Sequence, residues 1–215
     1  MKTLFLNPNS SDTITKILRR QIAAQGWLPD SYEVCCLAGA PQIIGSLQDE
    51  FKSQALLEKH YKELTHGFTR LVMMSSLDTG FETARRLGGV DVHGFTRSVL
   101  AWHRSQAQQL QVITFDSSMT PLYQALFSME ENQSVVLNTT VMAFAPAAVA
   151  EAKEAVLDLL RKTCRQLTEA SSAPIFIVGA VGLDLGEALR QEEFKQVIDP
   201  VANLIAHLQC LASGS

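Results

Sequence analysis

Short apolar runs recur along the chain, and almost every one is followed by a stretch with helical spacing of its apolar positions. Thr3-Leu4-Phe5-Leu6 reads as a buried strand. Asn9, Ser10 or Ser11 then caps a helix with Ile14, Ile17, Leu18 and Ile22 on one face, which Gly26 stops. Glu33 to Leu37 reads as a second strand, and Asp49 or Glu50 opens a helix through Phe51, Leu57, Tyr61 and Leu64. Leu71 to Met74 is a third strand, a short helix runs to Leu87, and Val90 to His93 is a fourth strand before a helix capped by Thr96.

The same alternation continues through a strand at Val112–Phe115 and a helix near Pro121–Phe127. Ser134–Phe144 is β-rich, with its register open. Ala147 to Ala170 has the clearest helical stripe: Val149, Ala152, Val156, Leu159, Leu160, Cys164 and Leu167. Ile175-Phe176-Ile177-Val178 is continuously apolar, as expected of a strand covered on both faces. A last strand near Val197-Ile198 leads through Asp199-Pro200 into a final helix. Strands alternating with helices predict an α/β chain with mostly parallel sheets. The series is also loosely doubled. It predicts two similar lobes, each a mostly parallel sheet flanked by helices, with a cleft between them. Residues 1–95 plus 199–215 are assigned to the first lobe and residues 96–198 to the second.

Composition narrows the picture little. With 215 residues the chain can bury a sizeable core, and 47% hydrophobic against 19% charged residues is ordinary for a globular protein. A formal charge of -4 with scattered lysines and arginines gives no electrostatic reason to expect nucleic acid. The apolar start passes at once into Asn7-Pro8-Asn9 rather than a cleavage site, and nothing approaches the roughly 18 apolar residues of a membrane span. The expected location is cytoplasmic, without membrane attachment. Cys35, Cys36, Cys164 and Cys210 show no metal or redox spacing and read as small core residues. No metal or other cofactor is expected.

Ligands of parallel sheets sit beyond the carboxyl ends of the strands. Four turns there are small, and the first three are rich in hydroxyl and amide groups: Asn7 to Ser11, Ser75 to Gly80, Thr114 to Ser118, and Gly179 to Gly182. Each is followed by a predicted helix, whose first N–H groups could hold a carboxylate or similar anion. Each could equally be no more than a helix cap. The candidate binding residues are Asn7, Asn9 and Ser10; Ser76, Thr79 and Gly80; Thr114 and Asp116; and Gly179, Ala180 and Gly182.

Leu6-Asn7-Pro8-Asn9-Ser10-Ser11 resembles the opening motif of hydantoin and allantoin racemases. Gly39 to Ser46 with Asp49-Glu50, Asp78-Thr79-Gly80-Phe81 through Ala84-Arg85, Val112-Ile113-Thr114, and Ile198-Asp199-Pro200-Val201 resemble further blocks of the Asp/Glu/hydantoin racemase superfamily, in order. The resemblance implies a cofactor-independent enzyme that works at the carbon next to a carboxylate or carbonyl. Relatives of this kind use two cysteines, one per lobe, and commonly assemble as homo-oligomers. Aligned on these blocks, Ser75 stands at the first cysteine position and Ala180 at the second. Ala180 carries no proton, and an unaided serine is a poor base.

Asp78 could replace a thiol as base, orient Ser75, or cap the helix that follows. His93, near a strand end, is a suitable proton carrier or a neutral core histidine. Arg97 opens a helix, where a cation is disfavoured by the helix dipole, and this hints at an anionic substrate group. Ser75, His93 and Asp116 could be drawn as a triad, although sequence supplies no geometry. Ser75, Asp78 and His93 are therefore the catalytic candidates. Three functions follow. One is an enzyme with altered chemistry, performing isomerisation, decarboxylation, elimination or hydrolysis on a small carboxylate or cyclic amide. Another is a catalytically inactive relative that binds a metabolite or serves as a partner subunit. The last is an ordinary amino-acid or hydantoin racemase.

Overall fold

The structure is a computed structural model and describes residues 2–115, 119–142, 144, 153–179 and 185–213. The chain divides into two compact units, Met1–Ser98 and Val99–Ser215. This grouping puts residues 199–215 with the second unit, whereas the sequence reading had attached them to the first lobe.

In the first unit β1 (Thr3–Asn7), α1 (Asp12–Ala24), β2 (Tyr32–Cys36), α2 (Leu47–Leu64), β3 (Arg70–Met73), α3 (Phe81–Leu87) and β4 (Asp91–Gly94) follow in turn, and then α4 (Phe95–Ser105) begins. The strands form one parallel sheet in the order β2-β1-β3-β4. β1 and β3, in the middle, are buried at every position; β2 and β4, at the edges, carry the exposed Glu33 and Asp91. A core of Leu4, Leu6, Leu57, Leu71, Met73 and Phe81 lies along the sheet. Each such side chain, fully buried, contributes about 1.5–3 kcal/mol.

The second unit contains β5 (Leu110–Phe115), α5 (Thr120–Phe127), α6 (Glu130–Gln133), β6 (Val136–Met142), α7 (Lys153–Ala170), β7 (Ile175–Val178), α8 (Leu185–Glu192) and α9 (Pro200–Ser213). Its sheet is again parallel, in the order β6-β5-β7. The predicted doubling is therefore real: in each unit the first strand is central, the next pairs on one side, and the third on the other. The strand order reverses between β1 and β3, and again between β5 and β7. Parallel sheets open a crevice at such reversals, outside the carboxyl ends.

Of the three residues expected to cap α1 it is Ser11, whose hydroxyl accepts from the Ile14 N–H. Other expectations change. Leu159 is turned outward and Leu157 takes its place in the buried stripe with Val156, Leu160 and Cys164. Residues 147–152, where that helix was expected to start, lie outside the described residues. The strand near Val197 is reduced to a single parallel bridge to Ile175. Thr96 does not cap α4 with its own hydroxyl, which donates to the Ser76 carbonyl instead at 2.7 Å.

Candidate functional site

At the strand-order reversal of the first sheet the candidate groups come from the turns after β1 and β3. The turn after β1 is held from within. Asn7, 1% exposed, donates from Nδ2 to Asn9 Oδ1 at 2.7 Å and to Thr15 Oγ1 at 3.0 Å. Asn9 Oδ1 accepts the Ser11 N–H, and the Ser10 N–H reaches the Pro41 carbonyl. These bonds place Asn9 and Ser10 half-buried at the strand end, while the Asn7 amide is occupied in fixing the loop.

After β3 the chain makes a tighter turn. The Asp78 N–H bonds to the Ser75 carbonyl and the Phe81 N–H to the Asp78 carbonyl, and Asp78 adopts φ +54°. A left-handed residue other than glycine is uncommon, and aspartate is among the few types that tolerate it. Gly80, at φ +82°, opens α3; a β-carbon there would lie 2.6 Å from Leu57 Cδ2, so the turn needs glycine for both conformation and space.

This turn carries two hydrogen-bond systems. In the first, the Asp78 carboxylate reaches across to α4, 18 and 19 residues on. Oδ1 accepts the Thr96 N–H at 2.8 Å and Oδ2 the Arg97 N–H at 3.0 Å, with the Arg97 guanidinium at 3.3 Å. Two orphan N–H groups of a helix start are thereby satisfied, and the negative charge meets the positive end of the helix dipole. Gly94 makes the approach feasible, because a β-carbon there would sit 2.5 Å from the Asp78 carboxyl carbon. Burial pushes the Asp78 carboxyl up to about 6, against the opposing pull of Arg97 and the two N–H groups.

In the second system, Ser75 Oγ donates to Thr79 Oγ1 at 3.1 Å, and Thr79 Oγ1 donates to Glu50 Oε2 at 2.6 Å. Ser75 Oγ also accepts the Leu77 N–H at 3.3 Å, and Glu50 Oε1 accepts from Gln54 Nε2. Ser75, Ser76 and Glu50 are half-buried, while Thr79 is 1% exposed. The sequence places Glu50 at a helix start and in a block that resembles the family, without a role at the site. It does lie in the first turn of α2, after the Ser46 cap. Its meeting with Thr79, 29 residues away, is tertiary and leaves no mark in local spacing.

The other candidates are placed differently. His93 Nε2 pairs with Asp91 Oδ2 at 2.7 Å, two residues back on the same face of β4, and Asp91 Oδ2 also binds Arg70 Nε. The ring is thus drawn toward the amino end of its strand. Its pKa is lowered by burial, with Asp91 partly opposing. Arg97 is engaged by Asp78, by Glu82 at 3.0 Å and by the Phe81 ring, whose centre is 4.3 Å from the guanidinium carbon. The mild conflict of a cation at a helix start is settled by these partners. Asp116, the third member of the triad drawn from sequence, lies outside the described residues.

In the second unit, Thr114 stands near the carboxyl end of β5, opposite Val178 of β7. It is 1% exposed, and among the described residues its Oγ1 has no hydrogen-bond partner. Gly179 follows β7 at φ +88°, and a β-carbon on it would come 3.4 Å from the Tyr123 hydroxyl. Tyr123, which sequence reading passed over as an ordinary helix residue, is therefore a group at this strand end. Ala180 and Gly182 lie outside the described residues. Cys35 and Cys36 lie in β2, where burial pushes Cys35 up to about 11 and Cys36 Sγ faces Asp12 Oδ1 at 3.8 Å. Cys164 is buried in α7 and pushed up to about 12 by burial, and Cys210 is exposed on α9. Among the described residues no group of three His, Cys, Asp or Glu is arranged to hold a metal ion, and no helix is long and apolar enough to cross a membrane.

A model of the Asp/Glu/hydantoin racemase family matches residues 4–208. Comparison with curated proteins gives no match. Among solved structures, allantoin racemase from Klebsiella pneumoniae has a TM-score of 0.83 at 18% identity, covering 100% of this chain and 89% of that one. Allantoin racemase from Pseudomonas fluorescens has a TM-score of 0.81 at 17% identity, covering 100% and 92%. A liganded double mutant of arylmalonate decarboxylase has a TM-score of 0.64 at 14% identity, covering 100% and 94%. At these identities the structural likeness establishes the fold alone.

Proposed function

Since the chain belongs to the Asp/Glu/hydantoin racemase family, we propose that it is a cofactor-independent enzyme acting on a small carboxylate or cyclic amide without a pair of thiols. The chemistry is one-sided. It is centred on the turn after β3, where Ser75 replaces the first family cysteine, and it makes or breaks a bond at the carbon next to a carboxylate or carbonyl. The observation that carries this reading is the chain of hydroxyls from Ser75 through Thr79 to a carboxylate, set at the strand-order reversal. A turn serving only to cap α3 has no use for it. Ser76 and the β1 turn with Asn9 and Ser10 line the substrate position, and Asp78 and Arg97 act as the frame that holds the turn.

The test is α-proton exchange in deuterated water, followed by NMR, over allantoin, hydantoins and the enantiomers of aspartate and glutamate. Carbon dioxide release from an arylmalonate is followed in parallel. Exchange confined to one enantiomer, or decarboxylation, is the expected result, without added metal or cofactor. Silence across both assays would remove the reading. A second reading, a metabolite-binding relative without turnover, is favoured by one observation: His93 and Arg97 are both engaged by internal partners. Saturable binding of a panel compound with no exchange and no decarboxylation would select it.

A further inference from the structure

A serine alone is a poor base because its alkoxide is costly, and this is the chief physical objection to one-sided chemistry at Ser75. The hydrogen-bond polarity around Thr79 answers it. Both oxygens of Glu50 accept hydrogen bonds, Oε2 from Thr79 and Oε1 from Gln54, which is the arrangement of a carboxylate. A carboxylate cannot donate, so the single Thr79 proton must point to Glu50. The Thr79 oxygen is then an acceptor, and the Ser75 proton must point to it. The order is fixed from end to end: Ser75 O–H to Thr79 O–H to Glu50. Ser75 therefore turns its proton inward and keeps a lone pair for whatever approaches the turn.

We infer that Glu50 and Thr79 are positioning residues that form a two-step proton relay, lending the basicity of the Glu50 carboxylate to Ser75 Oγ. This rests on the function proposed above and supplies its missing base. In the step, a substrate α-proton moves to Ser75 Oγ as the Ser75 proton moves to Thr79 Oγ1 and the Thr79 proton to Glu50 Oε2. The electron pair of the C–H bond stays on the substrate as an enolate, Glu50 ends as the neutral acid, and both hydroxyls are neutral before and after. No alkoxide is formed. The reverse sequence returns the proton to carbon. The Leu77 N–H, 3.3 Å from Ser75 Oγ, stabilises charge that builds on that oxygen during transfer.

The relay can be read without knowing the substrate, by reacting the whole protein with a fluorophosphonate. Ser75 Oγ bonds to phosphorus, fluoride leaves, and the serine proton passes down the relay and on to solvent. The labelling rate at Ser75, measured by peptide mass spectrometry between pH 4 and 8, is the readout. We expect labelling in the native chain that slows toward low pH and none at this position in Ser75→Ala. Glu50→Gln keeps an acceptor for Thr79 but cannot take the proton. It should slow labelling at least tenfold at every pH, in the native background and equally with Asp78→Asn, which removes the titration of the neighbouring carboxyl, while Thr79→Ser stays within about twofold of native. Thermal melting checks that each variant is folded, and Thr79→Val, which breaks the same chain at its middle member, replaces Glu50→Gln if that variant is unstable. No labelling of native Ser75, or native-like labelling of folded Glu50→Gln, overturns the relay. A relay that behaves as expected in a protein silent on every panel compound would keep the relay and sink the proposed reaction.

Discussion

The two units share one plan, a parallel sheet with its first strand in the middle, but their carboxyl ends differ in how polar groups are handled. After β3 three polar side chains of the turn are tied to others: Ser75 to Thr79, Thr79 to Glu50, Asp78 to α4. In the second unit β5, the counterpart of β1, buries Thr114 near its carboxyl end, where among the described residues its hydroxyl has no hydrogen-bond partner. An unsatisfied buried hydroxyl costs stability, whereas a completed network holds its members in one geometry. The contrast teaches that the doubled architecture does not imply doubled chemistry. One end is organised around a serine and a carboxylate, while the other offers a hydroxyl that gains from meeting a partner.

The largest effect should follow from breaking the frame of the organised end. Asp78→Ala leaves Arg97 without its buried partner and uncaps two N–H groups of α4, and should cost about 3–5 kcal/mol in urea unfolding. Asp78 also makes this end sensitive to pH. Its folded pKa, about 6, is raised from the ordinary 3.8 by burial. The folded state therefore binds the proton more tightly than the unfolded one. The resulting stability is fully present below about pH 4 and is lost as the pH rises through about 6. Its full extent is up to about 3 kcal/mol, since each pKa unit is worth about 1.4 kcal/mol. Subtracting the curve of Asp78→Asn isolates this group from others such as His93, whose lowered pKa acts in the opposite direction. A difference curve that instead falls toward pH 4 would show that the hydrogen bonds outweigh burial.

A matched pair of nearly isosteric substitutions compares the two ends directly. Thr79→Val removes two hydrogen bonds, one of them to a carboxylate, and should destabilise by about 2 kcal/mol. Thr114→Val removes a hydroxyl with no partner among the described residues and should be neutral, or stabilising by up to about 1 kcal/mol. Equal losses at both positions would erase the distinction between the ends.

Much of the fold was legible because central strands covered on both faces read as continuous apolar runs. Phe5, Val72 and Ile113 are such positions, all fully buried, and Phe176 of the edge strand β7 is buried as completely. The edge strand β6 was blurred, because its run Asn138-Thr139-Thr140-Val141 is mostly exposed and shows no clean alternation from which to set a register. The site was legible at the level of turns but not of partners. Ser75 and Asp78 were found from small polar residues at a strand end. That Asp78 caps α4 rather than α3, and that Glu50 stands behind Thr79, depends on contacts spanning 18 to 29 residues. Leu159 was misassigned because Leu157 and Leu159 flank the Val156, Leu160 and Cys164 stripe on opposite sides, and spacing alone does not say which side is covered.

The central claim is that chemistry resides at the turn after β3. It is tested most directly by measuring panel turnover, as α-proton exchange and decarboxylation together, in the native chain, Ser75→Ala and Thr114→Val side by side. The account predicts loss of at least a hundredfold in Ser75→Ala, in keeping with removal of a group that handles the proton, and retention of activity in Thr114→Val. Full activity in a folded Ser75→Ala, or its loss in Thr114→Val alone, would contradict it.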